Sequence, residues 1–226
     1  MPLSENPKIM LGLATRGDDI VPSLFEFILR NTMVHGVRFV WKGCGWSAVI
    51  PQEAVYQEAI KLEADYLLIV DSDVTPPIDA LDKLLECEKD IVTAPIWHYD
   101  VRLGDIHLNV TKEFGIREID SNKIGLETMR SSSFGCLLMS KKVLDKFKEN
   151  KETFVTWSPL IEESLKTMSS DVIMFRKIER FGFQLYVNWD VRGCEHYTKI
   201  HLSDRVLSQF RQGKQTILEN TKSQIR

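Results

Sequence analysis

Residues 66–77 read YLLIVDSDVTPP, in which five apolar residues run directly into two carboxylates and then into a pair of prolines. A short apolar run that is bounded by turn formers is typical of a fully buried strand. Asp71 and Asp73 therefore follow this strand at its carboxyl end. In an open α/β sheet, that edge is where ligands bind.

The two carboxylates of this turn are candidate ligands for a divalent cation. Asp71 and Asp73 are two positions apart, so in an extended segment both can flank one ion while Ser72 points the other way. Oxygen ligands of this kind suit Mg²⁺ or Mn²⁺, whose shell is commonly completed by substrate phosphates. A structural interpretation is also open: Asp73 or Thr75 caps a helix that starts near Pro76 or Pro77.

Composition narrows the class of protein. The chain has 226 residues, 43% of them hydrophobic, and contains no low-complexity linker, so we expect one domain. Its net charge is −3 and its basic residues are dispersed, which does not indicate a large nucleic-acid-binding surface. The sequence has no signal-like N-terminus and no apolar run of membrane-spanning length, so we expect a soluble, cytoplasmic protein. The four cysteines are widely spaced, so free thiols are expected.

Strand-like and helix-like segments alternate over the first half of the chain. This order predicts an α/β fold: a single Rossmann-like domain with a mostly parallel central sheet flanked by helices. The turn after the first strand contains one glycine, so no dinucleotide-binding GxGxxG is present. Besides the strand that starts at Tyr66, the predicted strands are Ile9–Ala14, Val37–Trp41 and Ile91–Pro95, and the predicted helices are Pro22–Thr32, Pro51–Glu63 and Ile78–Cys87.

The second half has a less regular pattern. Residues 97–122 lack a helical period and are predicted to form hairpin-like strands over the working edge of the sheet. A buried strand over Phe134–Met139 leads to a helix capped by Ser140. Ser169, Ser170 and Asp171 begin a further helix that ends before Gly182. The remaining predictions are a strand over Gln184–Val187, a polar loop that carries His196, and a polar helix from Ser203, which makes residues 203–226 a helical extension of the domain over residues 1–202.

Three blocks of the sequence together resemble a known family. They are ADYLLIVDSDVTPPIDALDKLL, FGCLLMSKKVLDKF and SDVIMFRKIERFGFQLYVNWDVRGCEHY. In this order and spacing they resemble the A-type nucleotide-sugar fold of glycosyltransferases, particularly the family-2-like and phage-type members, over roughly residues 9–197. The resemblance implies a sugar transferase that uses a nucleotide-sugar donor.

The resemblance also implies roles for individual residues. Asp73, the last Asp of the DxD motif, and His196 correspond to the family's ligands for Mn²⁺ or Mg²⁺, and Asp71 would hold the ribose or a metal-bound water. Asp171 matches the second acid of a Glu-Asp pair that supplies the general base in inverting members. Taken alone, His196 favours a surface or hydrogen-bonded loop histidine, and Asp171 also fits a first-turn acid that stabilises its helix.

Further residues are implied as ligand contacts, each with a structural alternative. Thr15, Arg16, Asp71 and Ser72 are the nucleotide-binding candidates, although a polar βα turn explains Thr15 and Arg16 as well. Two more residues are candidates for contact with the donor or acceptor sugar. These are Gly135, which otherwise marks a bulge, and Trp157, which otherwise packs in its loop.

The sequence departs from the family at two places. Ser170 stands where the family has the first acid of its acidic pair, and Gln52 and Glu53 replace an Arg-Asn pair on the helix before the DxD strand. A non-catalytic nucleotide- or glycan-binding relative is therefore one alternative. A phosphatase of the haloacid dehalogenase type, with Asp71 as nucleophile, is another, because DSDVT fits its motif. The donor's sugar and nucleobase stay open, as does the acceptor, for which a glycan, a lipid-linked sugar, a protein and a modified nucleic-acid base are the candidates.

Overall fold

The apolar run that starts at Tyr66 forms a strand in the interior of a seven-stranded sheet. The computed structural model describes residues 7–15, 20–45, 47–100, 105–113, 116–117, 120–166, 168–197 and 201–202. Arg16 and the predicted helix from Ser203 lie outside these residues.

The described elements follow the predicted order. The strands are β1 (Ile9–Thr15), β2 (Arg38–Gly43), β3 (Tyr66–Asp71), β4 (Val74–Thr75), β5 (Ile91–Thr93), β6 (Trp97–Asp100), β7 (Asp105–Leu108), β8 (Thr111–Glu113), β9 (Ile116–Arg117), β10 (Leu126–Met129), β11 (Cys136–Ser140), β12 (Leu185–Asn188), β13 (Glu195–Tyr197) and β14 (His201–Leu202). The helices are α1 (Pro22–His35), α2 (Val49–Lys61), α3 (Ala80–Leu85), α4 (Lys141–Glu149) and α5 (Ser170–Arg180), with a 3₁₀ turn at Glu163–Leu165.

The central sheet has the strand order β10-β12-β5-β11-β3-β1-β2. Its parallel pairs are β1–β2, β1–β3 and β5–β12, and β11 runs antiparallel to both β3 and β5. Among the described strands of this sheet, β10 and β11 therefore run against the other five, which confirms a mostly parallel sheet. The reversal at β11 follows from its connection, because a hairpin region rather than a crossover helix joins β5 to β11.

Both faces of β3 are covered. Leu67 and Ile69 belong to one apolar cluster, and Leu68 and Val70 belong to the cluster on the opposite face. Alternate side chains of a strand point to opposite faces, so burial of all four requires helices on both sides of the sheet. The prediction of a single helix-flanked α/β domain is confirmed. The region around residues 97–122 also forms hairpin pairs, β6–β7 and β8–β9, as predicted.

The alternative interpretation of the DSD turn as a helix cap does not hold. Helix α3 begins at Ala80 with Asp79 at its N-cap position, so neither Asp73 nor Thr75 caps it. Instead, Val74 and Thr75 form the short strand β4, and the Thr75 hydroxyl lies 2.8 Å from that of Ser23 on α1. The carboxylates of the turn are thus left without a capping role.

The predicted polar loop around His196 is also wrong. His196 lies in β13, which pairs antiparallel with β4 so that His196 is opposite Val74. The edge of β4 supplies the backbone partners that a segment as short as Glu195–Tyr197 lacks on its own, and the pairing buries His196 to 5% exposure. Sequence patterns two or three residues long could not show this pairing.

Two smaller features complete the description of the fold. Ser140 occupies the N-cap position of α4 as predicted, but its hydroxyl donates to the Asp90 carboxylate and accepts no capping hydrogen bond from the helix. No helix in the described part of the chain is long and apolar enough to cross a membrane.

Candidate functional site

A polar cleft of about 360 Å³ lies at the carboxyl ends of β1 and β3. The DSD turn lines this cleft, and the first turn of α5 contributes Asp171. Segments that are distant in sequence therefore place three carboxylates in one cleft. The described residues that line it are Ala14, Thr15, Ala48, Gln52, Asp71, Ser72, Asp73, Ser133, Phe134, Ser170 and Asp171.

His196 approaches the cleft through Asp73. Its Nε2 lies 3.3 Å from an Asp73 carboxylate oxygen, and the Tyr197 amide donates to the Asp73 carbonyl at 2.6 Å. The imidazole is buried, and its face stacks on His98 of β6 with the ring centroids 4.9 Å apart. The Asp73 side chain is 49% exposed, so one end of this pair is fixed in the fold and the other faces solvent.

The surroundings of Asp71 raise the pKa of its carboxyl group. Desolvation in the cleft, followed by the negative charges of Asp73 and Asp171, raises its pKa to about 7 against the opposing effect of His196. At neutral pH Asp71 is therefore only partly ionised, and a cation bound beside it would favour the ionised form.

Asp171 occupies the first turn of α5, where a carboxylate is favoured by the helix dipole. Its Oδ1 accepts a hydrogen bond from the Val172 amide at 2.9 Å. Helix capping and chemistry both fit this arrangement. The N-cap residue is Ser169, whose side chain makes no capping hydrogen bond.

A buried ion pair fixes α5 against the loop that precedes it. The Lys177 side chain is fully buried, lies 2.9 Å from a Glu152 carboxylate oxygen and donates to the carbonyls of Thr153 and Thr156, each at 2.7 Å. Removal of one partner from such a pair leaves an uncompensated buried charge. This contact therefore holds the helix that carries Asp171 in one position.

The donor set fits a divalent cation only in part. Among the described residues, no group of three or more His, Cys, Asp or Glu side chains is placed to hold a metal ion by itself. Asp73 with His196 supplies a close oxygen and nitrogen pair, and Asp71 lies nearby. Mg²⁺ is often bound by one or two carboxylates and completed by substrate phosphates and water, which agrees with a partial shell of this kind.

The predicted nucleotide contacts divide into two groups. Thr15, Asp71 and Ser72 line the cleft, whereas Arg16 lies outside the described residues. Thr15 and Ser72 are both buried. Their contact with a nucleotide stays a prediction.

The two predicted sugar contacts have structural explanations. A Cβ atom at Gly135 would lie 2.6 Å from Ile96 Cδ1, so a larger residue there would have to displace that side chain. Trp157 is not among the residues that line the cleft; its Nε1 donates to the Glu162 carbonyl at 3.3 Å, and the Lys166 ammonium lies 5.2 Å from the ring centroid. Contact of either residue with a sugar stays a prediction.

Sequence reasoning missed several residues of the cleft wall. The sequence marks Gln52 only as a departure from a family pattern. Ser133 and Phe134 lie just before β11, a segment whose apolar run indicates a buried strand and not a site. A side chain that reaches a site from a flanking helix carries no local signature. Glu53, the neighbour of Gln52, has a structural role, because its carboxylate accepts hydrogen bonds from the amides of Phe154 and Val155.

Comparison with known proteins gives a shared fold. No protein-family model matches the sequence, and no curated protein matches it. Among solved structures, the chain is similar to A197 from STIV, with a TM-score of 0.58 and 14% identity over 87% of this chain and 90% of that one. It is also similar to the inositol-1-phosphate CTP transferase from T. maritima, with a TM-score of 0.43 and 15% identity over 81% of this chain and 85% of that one. The first similarity shows the fold alone.

The raised pKa of Asp71 predicts a specific pH dependence of stability. The folded-state pKa of about 7 lies above the unfolded value of about 3.9, so between these pH values the folded state holds a proton that the unfolded chain has released. The contribution of Asp71 to the free energy of unfolding therefore falls as pH rises through this window. Asp71→Asn should remove that loss.

This prediction is tested by thermal unfolding of the metal-free protein from pH 4.5 to pH 8. As pH rises, the free energy of unfolding of Asp71→Asn should increase relative to that of the wild type by about 1–4 kcal/mol after allowance for solvent relaxation. This difference corresponds to several degrees in Tm. Asp145→Asn, a change at a more exposed carboxylate on α4, is the control and should follow the wild-type profile. Parallel profiles for Asp71→Asn and the wild type would contradict the assignment.

Proposed function

We propose that the protein is a divalent-cation-dependent glycosyltransferase that moves a sugar from a nucleoside diphosphate donor to an acceptor, with inversion at the transferred carbon. The observation that carries the proposal is the convergence of Asp71, Asp73 and Asp171 in one cleft at the carboxyl end of β3. The resemblance of the three sequence blocks to A-type glycosyltransferases supports it.

The charge of the cleft supports the need for a cation. None of the described residues that line it is Lys or Arg, while three are carboxylates. A diphosphate would meet net repulsion there, so binding requires a positive ion between the two. Asp73 and His196 are the proposed ligands, with Asp71 beside them. When bound, Mn²⁺ or Mg²⁺ would neutralise charge that develops on the departing nucleoside diphosphate.

Asp171 is the proposed general base. It lies on α5, a different element from the DSD turn, so it can face an acceptor while Asp71 and Asp73 face the diphosphate. The carboxylate would accept the proton of the acceptor hydroxyl as that oxygen bonds to the sugar carbon. The family's first acid is Ser170 here, which also lines the cleft and leaves Asp171 as the acid of that pair.

The alternative of a haloacid dehalogenase-type phosphatase has little support. In that class the motif usually follows the first strand, whereas here β1 and β2 and their helices precede it. A non-catalytic nucleotide-binding protein would share the cation site and lack transfer. Experiments that measure binding and turnover separately distinguish this alternative from the enzyme.

The cation site is tested by Asp73→Ala. Its side chain is half exposed at the edge of the sheet, so the fold should persist. Loss of the carboxylate should weaken Mn²⁺-enhanced nucleoside diphosphate binding at least about 10-fold, the scale of a charge-assisted contact. Calorimetric titration with and without MnCl₂ measures the effect. Asp79→Ala, at an acid outside the cleft in the same segment, is the control, and unchanged Mn²⁺ dependence in Asp73→Ala would refute the site.

The base is tested by Asp171→Asn, which keeps the size of the side chain and its ability to accept from the Val172 amide. Donor turnover, followed as nucleoside diphosphate release from a panel of UDP-, GDP-, CDP- and dTDP-sugars, should fall roughly 100-fold or more. Nucleoside diphosphate affinity of the same preparation should be nearly unchanged. Near-normal turnover would make Asp171 a helix-stabilising residue, and lost affinity would place it in the donor site.

A further inference from the structure

Gln52 is an uncharged buried side chain of the cleft for which the fold provides no partner among the described residues. It lies near the start of α2, is 8% exposed and lines the cleft, and its buried amide oxygen has no hydrogen-bond partner among the residues the structure describes. Glu53, the next residue, accepts hydrogen bonds from two backbone amides and from Gln57. The two neighbours therefore differ: Glu53 stabilises the fold, whereas the amide oxygen of Gln52 is available to a ligand.

An unpaired buried polar atom is unfavourable, because the group has lost its water and gained no hydrogen bond in return. Leucine or methionine at position 52 would avoid this loss with a side chain of similar size. A ligand that enters the cleft and bonds to the amide would remove the penalty, and the side chain is aimed into the space where such a ligand would lie.

The position of Gln52 indicates which part of a ligand it meets. Helix α2 packs against β1 and β2, whereas the three carboxylates lie on β3, on the turn after it and on α5. The described lining residues that come from β1 and the start of α2 are Ala14, Thr15, Ala48 and Gln52, all uncharged. This side suits a neutral, hydrogen-bonding group.

From this arrangement we infer that Gln52 binds the nucleoside portion of a nucleoside diphosphate, through a ribose hydroxyl or a polar atom on the edge of the base. The inference rests on the proposed function, in which the diphosphate lies with a cation beside Asp71 and Asp73. The nucleoside then lies against the uncharged residues of β1 and the start of α2. A neutral amide can both donate and accept, so it selects for hydrogen-bonding groups without attracting phosphate.

The start of α2 offers a competing account, since a helix N-terminus attracts phosphate. Inorganic pyrophosphate separates the two, because it carries the diphosphate charge and no nucleoside. Calorimetric titrations in MnCl₂ should therefore compare pyrophosphate with UDP, GDP, ADP, CDP and dTDP. The variants are Gln52→Met and Gln52→Leu, and Gln57→Met, at an exposed position of the same helix, is the matched control.

Both Gln52 variants should weaken binding of the best nucleoside diphosphate by roughly 5- to 100-fold, the range for a neutral hydrogen bond and for an unpaired group left behind. Pyrophosphate affinity should be unchanged, and the ligand-free Tm should be equal to or above that of the wild type. Three results would overturn the inference: unchanged nucleoside diphosphate affinity, an equal loss for pyrophosphate, or a lower ligand-free Tm in both Gln52 variants. Absence of Mn²⁺-dependent binding in the wild type would instead refute the proposed function on which the inference rests.

Discussion

The burial of β3 on both faces is the constraint on which the rest of the structure depends. Leu67, Leu68, Ile69 and Val70 contribute to both apolar clusters, so helices must cover each side of the sheet and neighbouring strands must pair along both edges. The chain can become polar only where β3 ends. Two carboxylates stand at that point, where desolvation and their mutual repulsion raise the pKa of Asp71. A charged cleft at this edge is unfavourable in isolation, and a bound cation would relieve it.

The other groups reach this edge through contacts between distant segments. The pairing of β13 with β4 brings His196 against Asp73 across more than 120 residues of sequence. Lys177 fixes α5 through Glu152 and two carbonyls of the preceding loop, and the same helix carries Asp171 in its first turn. The site is therefore built on strands and a fixed helix rather than on loops alone, as a site that must hold charged groups in one geometry requires.

The parts of this arrangement with a strong local pattern could be predicted from the sequence. The buried run before Asp71 and the alternation of strands and helices gave the α/β class and the edge where the cleft lies. The prediction of a polar loop around His196 was wrong because β13 is three residues long and owes its form to pairing with β4. The capping alternative for Asp73 does not hold, because Val74 and Thr75 form β4 and α3 begins only at Ala80. Gln52 could not be found, since its significance depends on an unpaired atom that only packing reveals.

The most direct test of the account is the location of manganese in crystals grown with MnCl₂ and the nucleoside diphosphate of highest affinity, determined by anomalous scattering. The account predicts a peak within about 2.3 Å of an Asp73 carboxylate oxygen, with diphosphate oxygens in the same coordination shell and His196 Nε2 as a further ligand. A nucleotide bound without manganese, or manganese bound away from the carboxyl end of β3, would contradict it.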